Sequence, residues 1–142
     1  MFLARQARRS LLLWTEDLEP GIYDNPAFAD AVVDLIKGHR DARLWILLED
    51  TTWVVRHHHP LVALSQQLST FVQIRMPLKE YRQTEADFLI ADETGLLYRK
   101  RGRGYRGFVH AHLPRKARPL TRQFMEAWES GLSIPDLRHL HL

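Results

Sequence analysis

The sequence predicts an α/β fold with a mixed sheet of about six strands flanked by helices. In the first half of the chain, short apolar runs alternate with segments whose apolar residues recur at helical spacing. In the second half, a turn that contains glycine separates two strand-like runs, as in a hairpin. The 142 residues are 45% hydrophobic and 26% charged, which is the composition of one globular domain with a sizeable core.

The first half predicts two parallel strands joined by a helix. Residues 10–15 (SLLLWT) form a short apolar run that is typical of a buried strand. Asn25 and Pro26 indicate a helix start, because asparagine caps a first turn and proline fits its first position. The helical spacing of apolar residues then continues to Gly38. Residues 43–48 (RLWILL) predict the second strand, which is apolar enough to be covered on both faces.

A second helix and a hairpin are predicted next. Pro60 begins a shorter helix with inward-facing leucines, and residues 71–76 (FVQIRM) form a third strand. Because helices connect these first strands, we expect them to pair in parallel. Residues 87–91 and 95–99 then form a hairpin, in which Gly95 is expected to supply the positive φ of the turn.

The last third predicts one more strand and a closing helix. Residues 106–113 (RGFVHAHL) form a strand that ends at Pro114, so that His110 and His112 would project from one face. Pro119 is expected to begin the final helix, which buries aromatic residues along one side.

We expect one domain over residues 1–142, with a core at 10–131 and a C-terminal extension at 132–142. The chain has no cysteine, so disulfides and thiol chemistry are excluded. The apolar run at residues 11–14 is too short for a signal peptide or a membrane span. The sequence therefore predicts a cytoplasmic protein without a membrane partner.

Charge is distributed unevenly, although the formal net charge is only +3. Residues 16–34 hold six acidic residues and no basic one, whereas residues 94–125 hold nine lysines and arginines and no acidic residue. Such asymmetry creates a local field that the net charge conceals.

Two of the predicted strands carry a resemblance to a known family. Residues 44–50 (LWILLED) and 88–95 (FLIADETG) resemble strands of one half of a phospholipase D-like protein, and residues 124–128 (FMEAW) resemble the helix that closes such a half. The chain also resembles a small uncharacterised bacterial domain that is sometimes appended to GNAT acetyltransferases and ends in a similar Phe-x-x-x-Trp-x-Ser. The resemblance implies a phospholipase D-like half, which usually pairs across a two-fold axis. It therefore implies a homodimer or docking onto a partner enzyme.

The chain departs from this family at the residues that carry its chemistry. Where the family has a nucleophilic histidine and a phosphate-binding lysine, this chain has Glu85 and Asp87; only Asp92 keeps its place. Acidic side chains repel a phosphodiester, and neither replaces the cation that stabilises charge developing on its oxygens. Asp92 is equally typical of a turn. The resemblance therefore implies the architecture of the family without its catalysis.

The segment at residues 99–107 (RKRGRGYRG) is the strongest candidate for a ligand surface. Its cations can neutralise phosphates, its glycines let backbone amides approach an anion, and an aromatic ring can stack on a base. The predicted ligand-binding residues of this segment and the one that follows it are Arg99, Lys100, Arg101, Arg103, Tyr105, Arg106, Arg115 and Lys116. Arg118 and Arg122 would add to them if the fold brings these residues to one face.

Two other interpretations of this segment remain open. It can be a solvated connection whose charges keep a sheet edge from pairing with another chain. Arg99, Gly102 and Gly104 also match the short acetyl-CoA pattern of GNAT acetyltransferases, but that pattern requires a helix N-terminus to follow, and a strand is predicted instead.

The sequence supports candidate catalytic residues less strongly than it supports this ligand surface. Asp50, His57, His59 and Asp92 would be the groups of a divergent phosphoryl-transfer site if they met in a pocket. Acidic pairs at residues 16–17 and 49–50 follow strand ends, where open α/β sheets place their ligands. Solvent-exposed or capping roles are the alternative for all of them, and we expect no metal or other cofactor.

The function predicted from the sequence is a non-catalytic binding or regulatory module, with nucleic acid or another polyanion as its ligand. The alternatives are a divergent phosphodiesterase or phosphoryl-transfer enzyme and a structural dimerisation module or accessory domain of an acetyltransferase.

Overall fold

A computed structural model describes residues 2–18, 21–82, 85–102 and 107–138, apart from the side chain of Arg138. The strands are β1 (Ser10–Thr15), β2 (Arg43–Leu48), β3 (Val72–Met76), β4 (Ala86–Ala91), β5 (Gly95–Lys100), β6 (Gly107–His110) and β7 (Leu132–Ser133). The helices are α1 (Phe2–Gln6), α2 (Pro26–Gly38), α3 (Thr52–Arg56), α4 (Pro60–Gln67), α5 (Pro114–Glu129) and α6 (Pro135–Arg138), and a 3₁₀ turn covers Lys79–Tyr81.

The strands form one mixed sheet in the order β6-β5-β4-β1-β2-β3-β7. Strands β1, β2 and β3 pair in parallel through helical crossovers, while β4, β5 and β6 form an antiparallel meander whose first strand pairs with β1. This confirms the predicted fold class, with its parallel first half and its hairpin. The described residues hold one strand more than predicted, because β7 pairs with β3 at the far edge.

Each face of the sheet carries its own core. On one side, alternate residues of the central strands pack with α1, α2, α3 and α4, and we call this side the α2 face. On the other side, Leu12, Trp14 and Phe88 pack under Ala117, Phe124 and Trp128 of α5, and we call this side the α5 face. Because β1 is covered on both sides, all six of its residues are buried.

The local signals for α2 and α4 act as predicted. Asn25 caps α2, where its side-chain oxygen accepts a hydrogen bond from the backbone N–H of Phe28 at 2.8 Å, and Pro26 takes the first helical position. Pro60 likewise begins α4, which His59 caps.

The start of the last helix was predicted wrongly. Helix α5 begins at Pro114 and not at Pro119, which lies inside it. A proline within a helix removes one backbone hydrogen bond, but the buried face that includes Phe124 and Trp128 holds the helix on the sheet. Strand β6 is correspondingly short and ends at His110, so His112 lies outside it and the two histidines do not share a strand.

The β4–β5 hairpin uses its turn residues differently from the prediction. Positive φ occurs at Asp92 and Glu93, with values of 52° and 62°, and not at Gly95. Gly95 is required for space, because a Cβ there would lie 2.6 Å from Leu3 Cδ1 and 3.1 Å from the carbonyl oxygen of Ala111.

Within the predicted C-terminal extension, the described residues 132–137 pack against the rest of the domain. Besides β7, the side chains of Ile134 and Leu137 are buried in the core of the α2 face. The described helices include none with the length and apolar character that crossing a membrane requires.

Candidate functional site

Helix α5 carries four exposed cations in its N-terminal half, three of which form a row on one side. We call this set, consisting of Arg115, Lys116, Arg118 and Arg122, the basic stripe; all four residues are exposed. Three of them, Arg115, Arg118 and Arg122, are three and four residues apart and therefore lie on one side of the helix. No acidic residue occurs in the sequence between residues 113 and 125. Within the described part of the chain, none of the four forms an ion pair.

Contacts at both ends fix α5 across the sheet. Near its start, the backbone N–H of Leu113 donates to the carbonyl oxygen of Thr94, which anchors the helix to the β4–β5 turn. Near its end, Trp128 stacks on Trp45 of β2 with ring centroids 4.8 Å apart, and its carbonyl oxygen accepts from Arg75 of β3 at 2.8 Å. The basic stripe is therefore held on a rigid element of the fold.

The charged side chains of α5 are arranged unfavourably with respect to the helix dipole. Cations occupy the N-terminal half, whereas Glu126 and Glu129 lie in the C-terminal half, and the last turn has no basic residue. A helix favours the reverse arrangement, by about 0.3–1 kcal/mol for each exposed charge. The stripe therefore does not stabilise the helix, and its charge is available for an anion.

Apart from Arg101, the remaining predicted ligand residues fall into three groups. Lys100 is exposed on β5 and lies on the α5 face by strand alternation. Arg99 lies on the opposite side by the same alternation, although both residues line one small cleft. Arg103, Tyr105 and Arg106 lie outside the described residues. The structure therefore places Lys100 on the same side as the basic stripe and separates Arg99 from it.

Arg101, which the sequence predicts as a ligand-binding cation, is largely enclosed in the structure. Its Nε lies 2.6 Å from Asp87 Oδ1 and 3.9 Å from Glu16 Oε2, and its Nη1 lies 2.9 Å from Glu49 Oε1. The Arg101 side chain is only 13% exposed. Because three carboxylates surround it, Arg101 cannot serve a polyanion without breaking contacts of the fold.

The acids around Arg101 are themselves tied to the sheet. Asp87 accepts hydrogen bonds from the hydroxyl of Thr15 and the backbone N–H of Glu16, both at 3.2 Å. Glu49 accepts from the indole N–H of the buried Trp14 at 2.8 Å. Burial alone would lower the pKa of Arg101, but hydrogen bonds and opposite charge from Glu49 and Asp87 raise it above its usual value. This cluster joins β1, β2, β4 and the end of β5.

Sequence reasoning found the acids of this cluster only in part. Glu16 and Glu49 follow the carboxyl ends of neighbouring parallel strands, which placed them at one edge of the sheet. Asp87 entered the prediction only as the residue at the family's lysine position. No signal in the sequence distinguishes Arg101 from the neighbouring basic residues as the partner of these acids.

The four candidate catalytic groups do not converge. The backbone N–H of Asp50 bonds to the carbonyl oxygen of Glu16 beyond the end of β1, whereas Asp92 contacts Ser10 at the start of β1. Six residue steps along a strand separate these ends by about 20 Å. The structure therefore does not bring Asp50 and Asp92 together in one site.

Asp50 and Asp92 each have a structural role. The Asp92 carboxylate accepts backbone hydrogen bonds from Arg8, Arg9 and Ser10 at 2.9, 2.9 and 3.0 Å, and so fixes the entry of β1. Asp50 accepts from the N–H of Thr52 at 2.9 Å, and hydrogen bonds from Thr52 lower the pKa of Asp50.

His57 and His59 pack around a tryptophan. The exposed His57 ring stacks on Trp53 at 4.4 Å, and its Nδ1 lies 2.9 Å from the carbonyl oxygen of Trp53. His59 is buried, and its Nδ1 accepts from the N–H of Leu61 at 3.1 Å. Burial lowers the pKa of His59 to about 4, against a smaller opposing effect of Asp24. In the described ranges, no three His, Asp or Glu side chains are grouped so that they could hold a metal ion.

Two of the clefts among the described residues have several polar lining residues. One of about 200 Å³ is lined by Glu16, Asp87 and Arg101 together with Asp17, Arg99, Lys100 and Gly102. Another of about 710 Å³ lies between α4, β3 and the C-terminal segment, and Gln66, Gln73, Arg75 and Ser133 are among its polar lining residues. None of the residues predicted from the sequence lines this second cleft.

Comparison with solved structures relates the fold to a larger protein. The chain is similar to TrmBL2, described as an archaeal chromatin protein with a novel mode of DNA binding, with a TM-score of 0.64 and 16% sequence identity. The similarity covers 94% of this chain and 48% of TrmBL2, so the chain spans about half the length of that protein. At this identity the likeness concerns the fold alone.

Sequence comparisons give the family. Among curated proteins, none matches this chain significantly. Residues 1–140 match the model of a family described as a domain of unknown function, DUF7931. Because that match covers nearly the whole chain, the protein belongs to the DUF7931 family.

Proposed function

We propose that this domain is a non-catalytic nucleic-acid-binding module that holds a phosphate backbone against the basic stripe of α5. The observation that carries the proposal is the stripe itself, in which four exposed cations stand on a rigid helix with no acidic residue between 113 and 125. Lysine and arginine side chains that contact phosphates release bound counterions, which drives binding without base recognition.

The position of the charges supports binding over a purely structural role. The cations stand at the helix end where they are electrostatically unfavourable, and none of them pairs with an acid in the described residues. The acidic residues Asp30 and Asp34 lie on α2, on the opposite face of the sheet. A long anion can therefore approach the α5 face without meeting those two acids.

The similar fold of a DNA-binding chromatin protein supports the same ligand class. The resemblance to phospholipase D-like halves fits the proposal as a likeness of architecture. At the family's lysine position, Asp87 is buried and its carboxylate is committed to Thr15 and Arg101. An acid engaged in this way does not bind a phosphodiester. Pairing across a two-fold axis, which this resemblance implies, stays a prediction.

The test measures fluorescence anisotropy of labelled duplex DNA between about 50 and 200 mM salt. We expect binding that weakens steeply as salt rises. Replacing Arg115, Arg118 and Arg122 together with glutamine should weaken binding and reduce the slope of log K against log salt by about 3, since each lost phosphate contact reduces it by about 0.9.

A matched control removes the same charge elsewhere. Lys37, Arg40 and Arg56 are exposed and lie with the helices of the α2 face or in the loop after α2. Replacing these three with glutamine also lowers the net charge by three, but it should leave most of the affinity and the salt slope. Equal losses of DNA affinity in both triple variants, or no binding of DNA at low salt, would contradict the proposal.

A further inference from the structure

We propose that the α5 face binds single-stranded nucleic acid, with bases stacking on an aromatic pair formed by Tyr98 and Phe108. This inference rests on the proposed function and names the form of nucleic acid that the same face recognises. The pair lies beside the basic stripe, on β5 and on the edge strand β6.

The two rings come together through strand register. Tyr98 of β5 is directly opposite Phe108 of β6, and their rings are nearly parallel, with centroids 5.6 Å apart and an interplanar angle of 18°. Both side chains are only partly buried at the margin of the α5-face core. His110, two residues further along β6, is exposed and meets the Phe108 ring edge to face at 5.7 Å. Three aromatic side chains therefore form one partly exposed surface.

Cations border this surface on two sides. The Lys116 ammonium from the basic stripe lies 5.0 Å from the centroid of Phe108. Lys100 is exposed on β5, two residues beyond Tyr98, and therefore projects from the same side of the sheet. Because Lys116 is exposed, its side chain can leave the ring face to a base and contact the adjacent phosphate instead.

This combination suits a single strand better than a duplex. Unpaired bases offer their faces for stacking, whereas bases within a duplex are already stacked on one another. Stacking on protein aromatics adds affinity for each base irrespective of its identity, while neighbouring cations follow the backbone. The expected preference is therefore for single strands over duplexes, with little dependence on sequence.

The experiment distinguishes the contribution of the bases to the binding affinity from that of the phosphates. Anisotropy titrations of the full chain at low salt compare an oligothymidine of about twelve nucleotides with an abasic strand of equal length and with a duplex. The abasic strand keeps every phosphate and lacks every base. We expect the oligothymidine to bind at least about fivefold more tightly than the abasic strand, the effect of one stacked base.

Point variants then test the rings. Phe108→Leu and Tyr98→Leu keep apolar packing but remove the aromatic face, and each should weaken oligothymidine binding about fivefold without changing the affinity for the abasic strand. Val109→Thr is the matched control. Val109 is exposed on the same strand but faces the opposite side of the sheet, opposite Leu97, so this variant should change neither affinity.

The outcomes distinguish the two proposals. Equal binding of oligothymidine and abasic strand, or equal effects of Phe108→Leu on both, would overturn the stacking surface while leaving the basic stripe intact. Absence of salt-dependent binding to all three probes would overturn both. Thermal unfolding of each variant shows whether a weaker affinity reflects loss of the fold, and retained folding with selective loss of oligothymidine binding is the result that supports the inference.

Discussion

The Nε of Arg101 lies 2.6 Å from a carboxylate oxygen of Asp87, and each of these side chains is no more than 13% exposed. Glu49 approaches the same guanidinium from another strand at 2.9 Å. The pair joins residues 14 positions apart in sequence, and Glu49 joins Arg101 across 52 positions. The cluster therefore acts as an electrostatic link between the parallel and antiparallel halves of the sheet.

Replacing Arg101 with methionine should strongly destabilise the fold. The substitution leaves the carboxylates of Asp87 and Glu49 largely buried without their cation, and we expect the free energy of unfolding to fall by about 3 kcal/mol or more. Urea denaturation measures this loss. The neighbouring exposed Lys100, replaced with methionine, should change stability by less than about 0.5 kcal/mol. Similar small effects at both positions would mean that the cluster does not support the fold.

Replacing Asp92 with alanine should loosen the start of β1. Three backbone N–H groups lose a charged acceptor, and alanine is strained at a φ of 52°. We expect a loss of about 2 kcal/mol or more in the free energy of unfolding. Hydrogen exchange should show faster exchange at the amides of Arg8, Arg9 and Ser10. Asp92→Asn, which tolerates this φ and keeps one acceptor oxygen, should lose less; the idea fails if alanine and asparagine behave alike.

His59 should make stability depend on pH. Its pKa is about 4 in the fold, where burial disfavours the charged ring, against 6.5 in the unfolded chain. The unfolded state therefore binds more protons between these values, so stability is full above pH 6.5 and falls by about 3 kcal/mol as pH drops to 4.

Urea midpoints across this pH range measure that loss. His59→Asn retains an acceptor for the N–H of Leu61 but has no titrating ring. Carboxylates such as Asp50 titrate in both proteins, so the difference between the two pH profiles isolates His59. Parallel profiles would show that His59 is not responsible.

Replacing either of two glycines with alanine should change stability in opposite directions. At Gly95 the new methyl group would meet Leu3 Cδ1 at 2.6 Å, and we expect a loss of about 1–3 kcal/mol from overpacking. At Gly38, in the last turn of α2, nothing lies within 4 Å of the added carbon, and alanine should raise stability by about 0.5 kcal/mol. Thermal unfolding of both variants compares them directly. A gain at Gly95 would show that the hairpin does not approach α1 as closely as described.

Reversing one charge of the basic stripe should separate stability from binding. Arg115→Glu places an acid in the first turn of α5, where it interacts favourably with the helix dipole, and should raise stability by about 0.3–1 kcal/mol. The same change should weaken binding to duplex DNA, because it removes a cation and adds a repulsive charge. Unfolding and anisotropy measured on the same preparation test both effects. Weaker binding together with lower stability would point instead to damage of the helix.

Local patterns determined the elements of this fold. Apolar runs fixed β1, β2 and β3, and the Asn25-Pro26 pair marked the start of α2, because strand burial and helix capping depend on adjacent residues. The mixed α/β class followed from their order. The same local logic failed at α5, where Pro119 carries a helix-start signal but Pro114 is the residue that begins the helix.

Only the tertiary structure decided which charges are available to a ligand. Arg99, Lys100 and Arg101 are consecutive in sequence and line one small cleft, yet Arg99 lies on the α2 face, Lys100 is exposed on the α5 face, and Arg101 is enclosed by carboxylates. Strand alternation and the pairing of β4 with β5 place these three side chains in different surroundings. A run of basic residues in the sequence reveals neither the alternation nor the pairing. The sequence determined that this region is basic. The fold determined that the available charge lies on α5, because helix packing turns that row of residues toward solvent.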